Sequence, residues 1–266
     1  MKHYFLSIMK NAMRNLTRQT VLALLGVILS FNVAKATPSS IIWIPSVDFQ
    51  GFKSWHLGMD NYIRMQKING VRGAGMYDLG LTTGILPFKN FQAEVGVDYL
   101  SMGDNVYDDH PIYFNGKVGF PEGGMFKGSP AIAIGAYNVG LKTNLTNYNI
   151  LYGLIGKTIP VIGRVSAGYY TGNKKLLVDE VGAAKQSGVL LSWERTMTEI
   201  SDKLWFAVDF QSNKNYLGAL SLGFSWSFSK NVSVIFGYDI YNNKKAYYNS
   251  TNVNANTFTT QLDINI

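Results

Sequence analysis

The sequence predicts an all-β protein, a closed antiparallel transmembrane β-barrel of about twelve strands, with roughly ten to fourteen as the range. Three observations predict it. Hydrophobicity alternates with period two through segment after segment. The connections between those segments alternate between short turns and longer polar loops. The composition is rich in glycine (27), tyrosine (16) and phenylalanine (15), while only 7 prolines interrupt strand pairing.

The chain opens on a leader. Residues 1–36 carry Lys2, Lys10, Arg14, Arg18 and Lys35 and no acid. Val21 to Phe31 form an apolar run of eleven residues. A membrane-spanning helix needs about 20. The run leads into Ala34-Lys35-Ala36, small residues in an A-x-A arrangement, so 1–36 reads as a signal peptide cleaved before Thr37. Met9 and Met13 offer later starts than Met1 that would shorten the basic stretch. An N-terminal amphipathic anchor is the alternative.

The leader also explains the charge. The whole chain is +7, but the leader's five bases leave 19 of the 24 against 17 acids, a net of +2. A mature chain so balanced gives no electrostatic reason to bind nucleic acid. Cysteine is absent, which removes disulfides, thiolate metal sites and cysteine nucleophiles.

Residues 37–53 form an N-terminal periplasmic segment. With Ile41, Ile42, Trp43, Ile44, Pro45 and Phe52 it is apolar for a free tail. Two readings stand: it caps or plugs the barrel mouth, or it lies as a pre-strand against the membrane interface.

From residue 54 to 266 the alternation takes over. Trp55, Leu57, Met59 and Ile63 share one face of the first strand, with His56, Gly58, Asp60 and Arg64 on the other. Phe91, Ala93, Val95, Val97 and Tyr99 alternate with Gln92, Glu94, Gly96 and Asp98. The clearest case is 220–228, where Leu, Leu, Phe, Trp and Phe alternate with Ser, Gly, Ser and Ser. Val232, Val234, Phe236, Tyr238 and Ile240 repeat the pattern against Ser233, Gly237 and Asp239. The last strand puts Phe258, Leu262, Ile264 and Ile266 opposite Gln261, Asp263 and Asn265. Strands are predicted at 54–65, 72–86, 90–103, 112–120, 130–142, 147–158, 160–172, 187–197, 203–212, 216–228, 231–242 and 256–266. Of these, 130–142 alternates least regularly.

Connections and glycines supply further tests. Pro87 to Asn90, Ile159-Pro160 and Ser229 to Asn231 are tight, whereas 104–111, 173–186 and 243–255 are long and polar. Short periplasmic turns and long external loops have this asymmetry, and an even strand count leaves both termini in the periplasm. The segments 121–129 and 213–215 run against it. Gly58, Gly96, Gly119, Gly153, Gly168, Gly223 and Gly237 are all assigned to the inward register, a pattern that serves curvature or close packing in a crowded lumen.

With a leader, about twelve alternating segments and a strand running to the final residue, the chain resembles Gram-negative-type outer-membrane porin-like barrels over 54–266. The resemblance is architectural and matches no single named family. It departs from such barrels in ending on Ile266 rather than an aromatic residue. The resemblance implies a home in the bacterial outer membrane, contact with its lipid, and handling by the barrel-assembly machinery during biogenesis.

Lipid contact is costly for charge, so ionisable residues on the strands are assigned to the lumen. They are His56, Asp60, Arg64, Arg72, Asp78, Glu94, Asp98, Lys117, Lys157, Arg164, Glu194, Asp209, Asp239 and Asp263. A selective pore carries a ring of one sign, and this set is mixed. One reading is a porin-like channel for passive passage of small polar solutes through a charge-separated constriction. The other is a closed structural or surface-interaction barrel whose charges pair across the lumen and whose external loops do the work.

Enzymatic and metal readings are weaker. An outer-membrane hydrolase needs a positioned His with a nucleophile or activated water. His110 follows Asp108-Asp109 in a polar loop, but no nucleophile lies at a recognisable spacing. His56, two positions from Asp60 on one face, suits a luminal hydrogen bond. Asp104, Asp108 and Asp109 match no defined cation loop. Gly70-Val71-Arg72-Gly73-Ala74-Gly75 has no strand–helix context for phosphate binding, so no cofactor is predicted. Trp55, Tyr148, Trp193 and Trp226 near strand ends are read as interfacial girdles.

Overall fold

The computed structural model describes residues 39–68, 70–244 and 256–266. The expected signal peptide, its cleavage site and residues 245–255 of the long final loop lie outside the described residues.

Period-two alternation gives each strand one greasy and one polar face, and closing such strands on themselves leaves no unpaired edge. The chain does this with twelve antiparallel strands. The first is β1 (Trp55–Arg64), followed by a small hairpin of β2 (Lys67–Ile68) and β3 (Val71–Arg72) outside the wall. The wall continues with β4 (Met76–Gly84), β5 (Gln92–Ser101), β6 (Ile112–Phe120) and β7 (Ala131–Gly140). Then come β8 (Asn147–Ile159), β9 (Gly163–Thr171), β10 (Ser187–Thr196) and β11 (Leu204–Gln211). It ends with β12 (Ala219–Ser227), β13 (Val232–Tyr241) and β14 (Thr257–Asn265). Each wall strand pairs with its neighbours in sequence, and β14 closes the cylinder on β1 with His56 opposite Asn265 and Arg64 opposite Thr257.

The ladders carry the faces around the barrel. Ser221 sits opposite Asp239 and Gly223 opposite Gly237, all inward, while Leu222–Tyr238 and Phe224–Phe236 pairs point outward. The irregular strand at 131–140 has a structural cause. Asn138 takes φ +50 and the β7–β8 register shifts between Tyr137 and Val139, a bulge that breaks strict alternation.

Arg72, Lys157, Gly153, Tyr148 and the start of the second wall strand differ from the sequence expectation. Arg72 is not on the wall: it pairs with Lys67 in the exposed β2–β3 hairpin, and β4 begins at Met76 rather than 72. Gly and Ala at 73–75 carry no alternation, so the boundary left no hydrophobic mark. Lys157 and Gly153 face outward, because on β8 the inward register is Tyr148, Ile150, Tyr152, Leu154 and Gly156. Tyr148 accordingly is no girdle residue; it is buried with its ring centroid 5.3 Å from that of Tyr216. Both faces of β8 are apolar, so polarity could not tell them apart.

The inward face of β8 is apolar because the interior is not simply water-facing. Ile41, Ile42, Ile44 and Val47, none more than 1% exposed, join Ile150, Leu154, Tyr170 and Leu190 in one buried cluster. Residues preceding the first strand thus supply part of the interior.

Candidate functional site

The interior residues 39–46 make a tight hairpin of their own. Ser40 bridges Pro45, the Ile41 amide donates to the Ile44 carbonyl (2.8 Å), and the Ser46 amide donates to the Ser39 carbonyl (3.1 Å). A two-stranded ribbon this short is not stable alone, so its geometry depends on its partners. Those partners are inward side chains of the wall.

At the hairpin tip, the amides of Ile42 and Trp43 both donate to Oδ2 of Asp209, at 2.8 and 2.9 Å. Gln261 Nε2 donates to the Ile42 carbonyl at 2.8 Å from the opposite side. The Trp43 indole donates to the Leu217 carbonyl (2.8 Å) and meets Tyr62 and Tyr241 edge-on. The Ile42 side chain lies over Gly223 and Gly237. A Cβ at either would come within 3.2 and 3.0 Å of it, respectively. These two glycines make room for a side chain, as the inward glycine pattern suggested; Val47 uses Gly156 in the same way.

At the base, Lys117 Nζ donates to the carbonyls of Ser39 and Ser46, both at 3.1 Å, and lies 3.4 Å from Glu94 Oε1. Glu94 in turn accepts the Gln50 amide at 2.6 Å. Arg164 bonds Asp48 through both terminal nitrogens and Glu194 through Nε (2.9 Å) and Nη2 (2.7 Å). Trp205 completes this group by donating to Glu194 at 3.1 Å. Buried charge persists only when paired and hydrogen-bonded, and these pairs meet that requirement by holding the interior segment.

The remaining expected lumen residues fall into two groups. His56 pairs with Asp263 (3.4 Å) and Asn265 (3.1 Å), Asp239 accepts the Thr257 hydroxyl (2.6 Å), and Arg64 stacks on the Tyr241 ring. Asp60, Asp78 and Asp98 instead sit on β1, β4 and β5 with no cationic side chain within ion-pair distance among the described residues. They face a cavity of about 200 Å³, open to solvent, between the hairpin and the wall from β1 through β8.

Lys157, pointing outward at the end of β8, binds Glu122 of the 121–130 turn (2.9 Å) and the Gly128 carbonyl (2.9 Å). Burial, the largest single influence on Glu122, pushes its carboxyl up. Hydrogen bonds from Lys157 and Thr158 and the lysine's charge outweigh it and hold the group below the usual glutamate range.

The acidic loop carries no composite site. Asp104 caps the short helix α1 (Asn105–Asp108) by accepting the Val106 amide, and Asp108 accepts the Met102 amide (2.6 Å) and the Ser101 hydroxyl. His110 is exposed.

Several residues of the interior were not anticipated: Asp48, Tyr62, Tyr137, Tyr152, Gln211 and Tyr241. Tyr62 lies between Asp60 and Arg64 on the inward register, and Tyr241 follows Asp239 on the same face. Parity alone would have found them. Treating tyrosine as outward or interfacial hid them.

No protein-family model matches the chain, and no curated protein matches it. Several solved structures align with it. A NanC porin aligns with a TM-score of 0.47 at 11% identity, covering 78% of this chain and 98% of that one. An outer membrane channel from Pseudomonas putida F1 gives 0.45 at 8% identity, covering 82% and 96%. The outer membrane phospholipase A from Escherichia coli gives 0.39 at 12% identity, covering 81% and 92%. These neighbours are bacterial outer-membrane proteins, channels and an enzyme among them.

Proposed function

We propose that the chain is an exported outer-membrane protein, a porin-like barrel for small polar solutes in which residues 39–50 act as an internal plug that narrows the lumen. The observation that carries this reading is the seating of the hairpin: luminal charges at both ends bind its backbone, with Asp209 at the tip and Lys117 at the base. Solutes pass through the solvent-open space that the hairpin leaves beside β1, β4, β5 and β6.

The membrane assignment is supported by the outer face. Leu79, Val95, Leu222 and Phe224 are each more than 40% exposed, and exposed apolar side chains recur on every wall strand but β14. Leaving such surface in water costs about 25 cal/mol per Å². In lipid it costs nothing. Wall strands of 8 to 13 residues match the roughly 9–11 residues needed for a tilted span. The leader would deliver the chain to the periplasm, where the barrel-assembly machinery inserts it.

The test is conductance in planar bilayers, comparing the mature protein with a variant whose residues 39–46 are replaced by Gly and Ser. Folding of both is checked by heat-modifiable migration on a denaturing gel. A small conductance in the parent and a severalfold larger one in the variant is the expected result. Silent membranes from both folded proteins would overturn the channel, leaving a closed structural barrel.

A further inference from the structure

We propose that the luminal cavity binds a small organic cation, an ammonium group attached to an apolar or aromatic body, before or during passage. This rests on the conduit reading for its biological meaning, but the site itself is defined by the cavity walls.

Part of the lining is acidic. Asp60 and Asp78 are direct cross-strand partners on β1 and β4, two carboxyl groups that cannot both stay ionised unless a cation comes between them. Asp98, on β5, leans over the bare backbone of Gly80, its Oδ1 only 2.8 Å from where a Cβ would stand. Gly80 therefore lets the third carboxylate approach the other two, and Asp60 is within electrostatic reach of both.

Their local hydrogen bonds do not satisfy them. Asp98 Oδ2 accepts from Asn115 at 2.7 Å, and the Tyr62 hydroxyl reaches Asp60 only at 3.5 Å. Asp78 Oδ1 is buried and meets no donor among the described residues. A carboxylate oxygen withdrawn from water, lining a cavity and lacking a donor, is a place where a ligand's N–H belongs. Lys117 is held by Glu94, Arg164 by Asp48 and Glu194, and His56 by Asp263, while Arg64 lies over the Tyr241 ring.

The rest of the lining decides which kind of cation. It includes Trp43, Tyr62, Tyr137, Tyr152, Met76 and Met102. Aromatic faces attract ammonium groups and thioethers pack adaptably against hydrocarbon. A hard metal ion would gain nothing from such a lining, and about 200 Å³ is far more room than it needs. The combination of carboxyl groups with rings and thioethers in one lining fits an amine that carries a body of its own.

The experiment uses the mature protein in detergent and three probes of one shape: 2-phenylethylamine, the neutral 2-phenylethanol and the anionic phenylacetate. Binding is followed by Trp43-sensitive fluorescence and by calorimetry, for the parent and for Asp78→Asn. The amine should bind, the alcohol and the acid should bind at least tenfold more weakly, and Asp78→Asn should lose at least tenfold in amine affinity. The probe comparison on the unaltered protein stands even if the variant fails to fold. Equal binding of the three probes, no binding of the amine, or calcium chloride displacing nothing but binding where the amine does not, would each overturn the proposal. Amine binding by a barrel that is silent in bilayers would overturn the conduit and leave this site intact.

Discussion

Asp209 holds the amide of Ile42 at 2.8 Å across 167 residues of sequence, and the same oxygen holds the next amide, that of Trp43, at 2.9 Å. One wall carboxylate thus satisfies two consecutive donors of the hairpin turn. Removing it in Asp209→Ala leaves the buried Ile42 N–H without its acceptor, a cost of about 1–3 kcal/mol, and frees the part-buried Trp43 N–H as well. The hairpin should loosen: a cysteine placed at Ile44, 0% exposed in the folded chain, should react with a maleimide at least tenfold faster in the Asp209→Ala background. Unchanged labelling would show that other contacts hold the tip.

Gly237 tests the same seat by volume. Its Cβ would lie 3.0 Å from Ile42 Cγ2 and 2.8 Å from Thr259 Cγ2. Gly237→Val adds three carbons where even one is crowded, so the hairpin must shift while the β13 ladder can stay paired. The expected outcome is a red-shifted Trp43 emission and a larger bilayer conductance, with heat-modifiable migration preserved.

Arg164 is the test at the base. It bonds both Asp48 and Glu194, using the guanidinium fork against two carboxylates. Arg164→Ala leaves Glu194 buried without its cation and should cost about 2–3 kcal/mol, less than a fully buried pair because Asp48 is 27% exposed. Arg164→Lys should recover under half of that loss in thermal melts, since one ammonium cannot serve both partners in the same geometry. Full rescue by lysine would reduce the arrangement to simple charge balance.

Glu122 gives a pH-dependent prediction. Its carboxyl is held below the ordinary value of about 4.3, so its ionised form binds better in the folded chain than in the unfolded one. The resulting stabilisation is complete above that ordinary value and disappears as pH falls through the depressed one. The melting-temperature difference between the parent and Glu122→Gln should therefore be constant from pH 7 to 5 and shrink as pH falls below the ordinary value. Both partners are partly exposed, so added salt should reduce the difference.

Much of this architecture is legible in the residues. Where one face is lipid-like and the other small and polar, as on β12 with Leu220, Leu222, Phe224 and Trp226 against Ser221, Gly223 and Ser225, parity follows directly. The strand count and the inward placement of Asp209, Asp239 and Asp263 come from the same rule. The rule loses its force on β8, where Ile150 and Leu154 face an interior as apolar as the exterior met by Leu151 and Ile155. It also cannot find the edge of β4 among small residues, which is why Arg72 belongs to a hairpin and not to the wall.

The sequence by itself determined a closed cylinder, because alternation is a local property: each residue carries its own preference for lipid or for polar surroundings, and period two sums those preferences along a strand. It also marked residues 37–53 as too apolar for a free tail, without choosing between a plug and an interfacial pre-strand. Only the tertiary structure decided what the luminal charges do. Asp209 meets Ile42, Lys117 meets Ser39 and Ser46, and Asp60 meets Asp78 instead of a cation, across separations that no local pattern encodes. Hydrogen bonds and ion pairs act over a few ångströms in space, so their partners exist only once closure has set the wall residues around the interior segment.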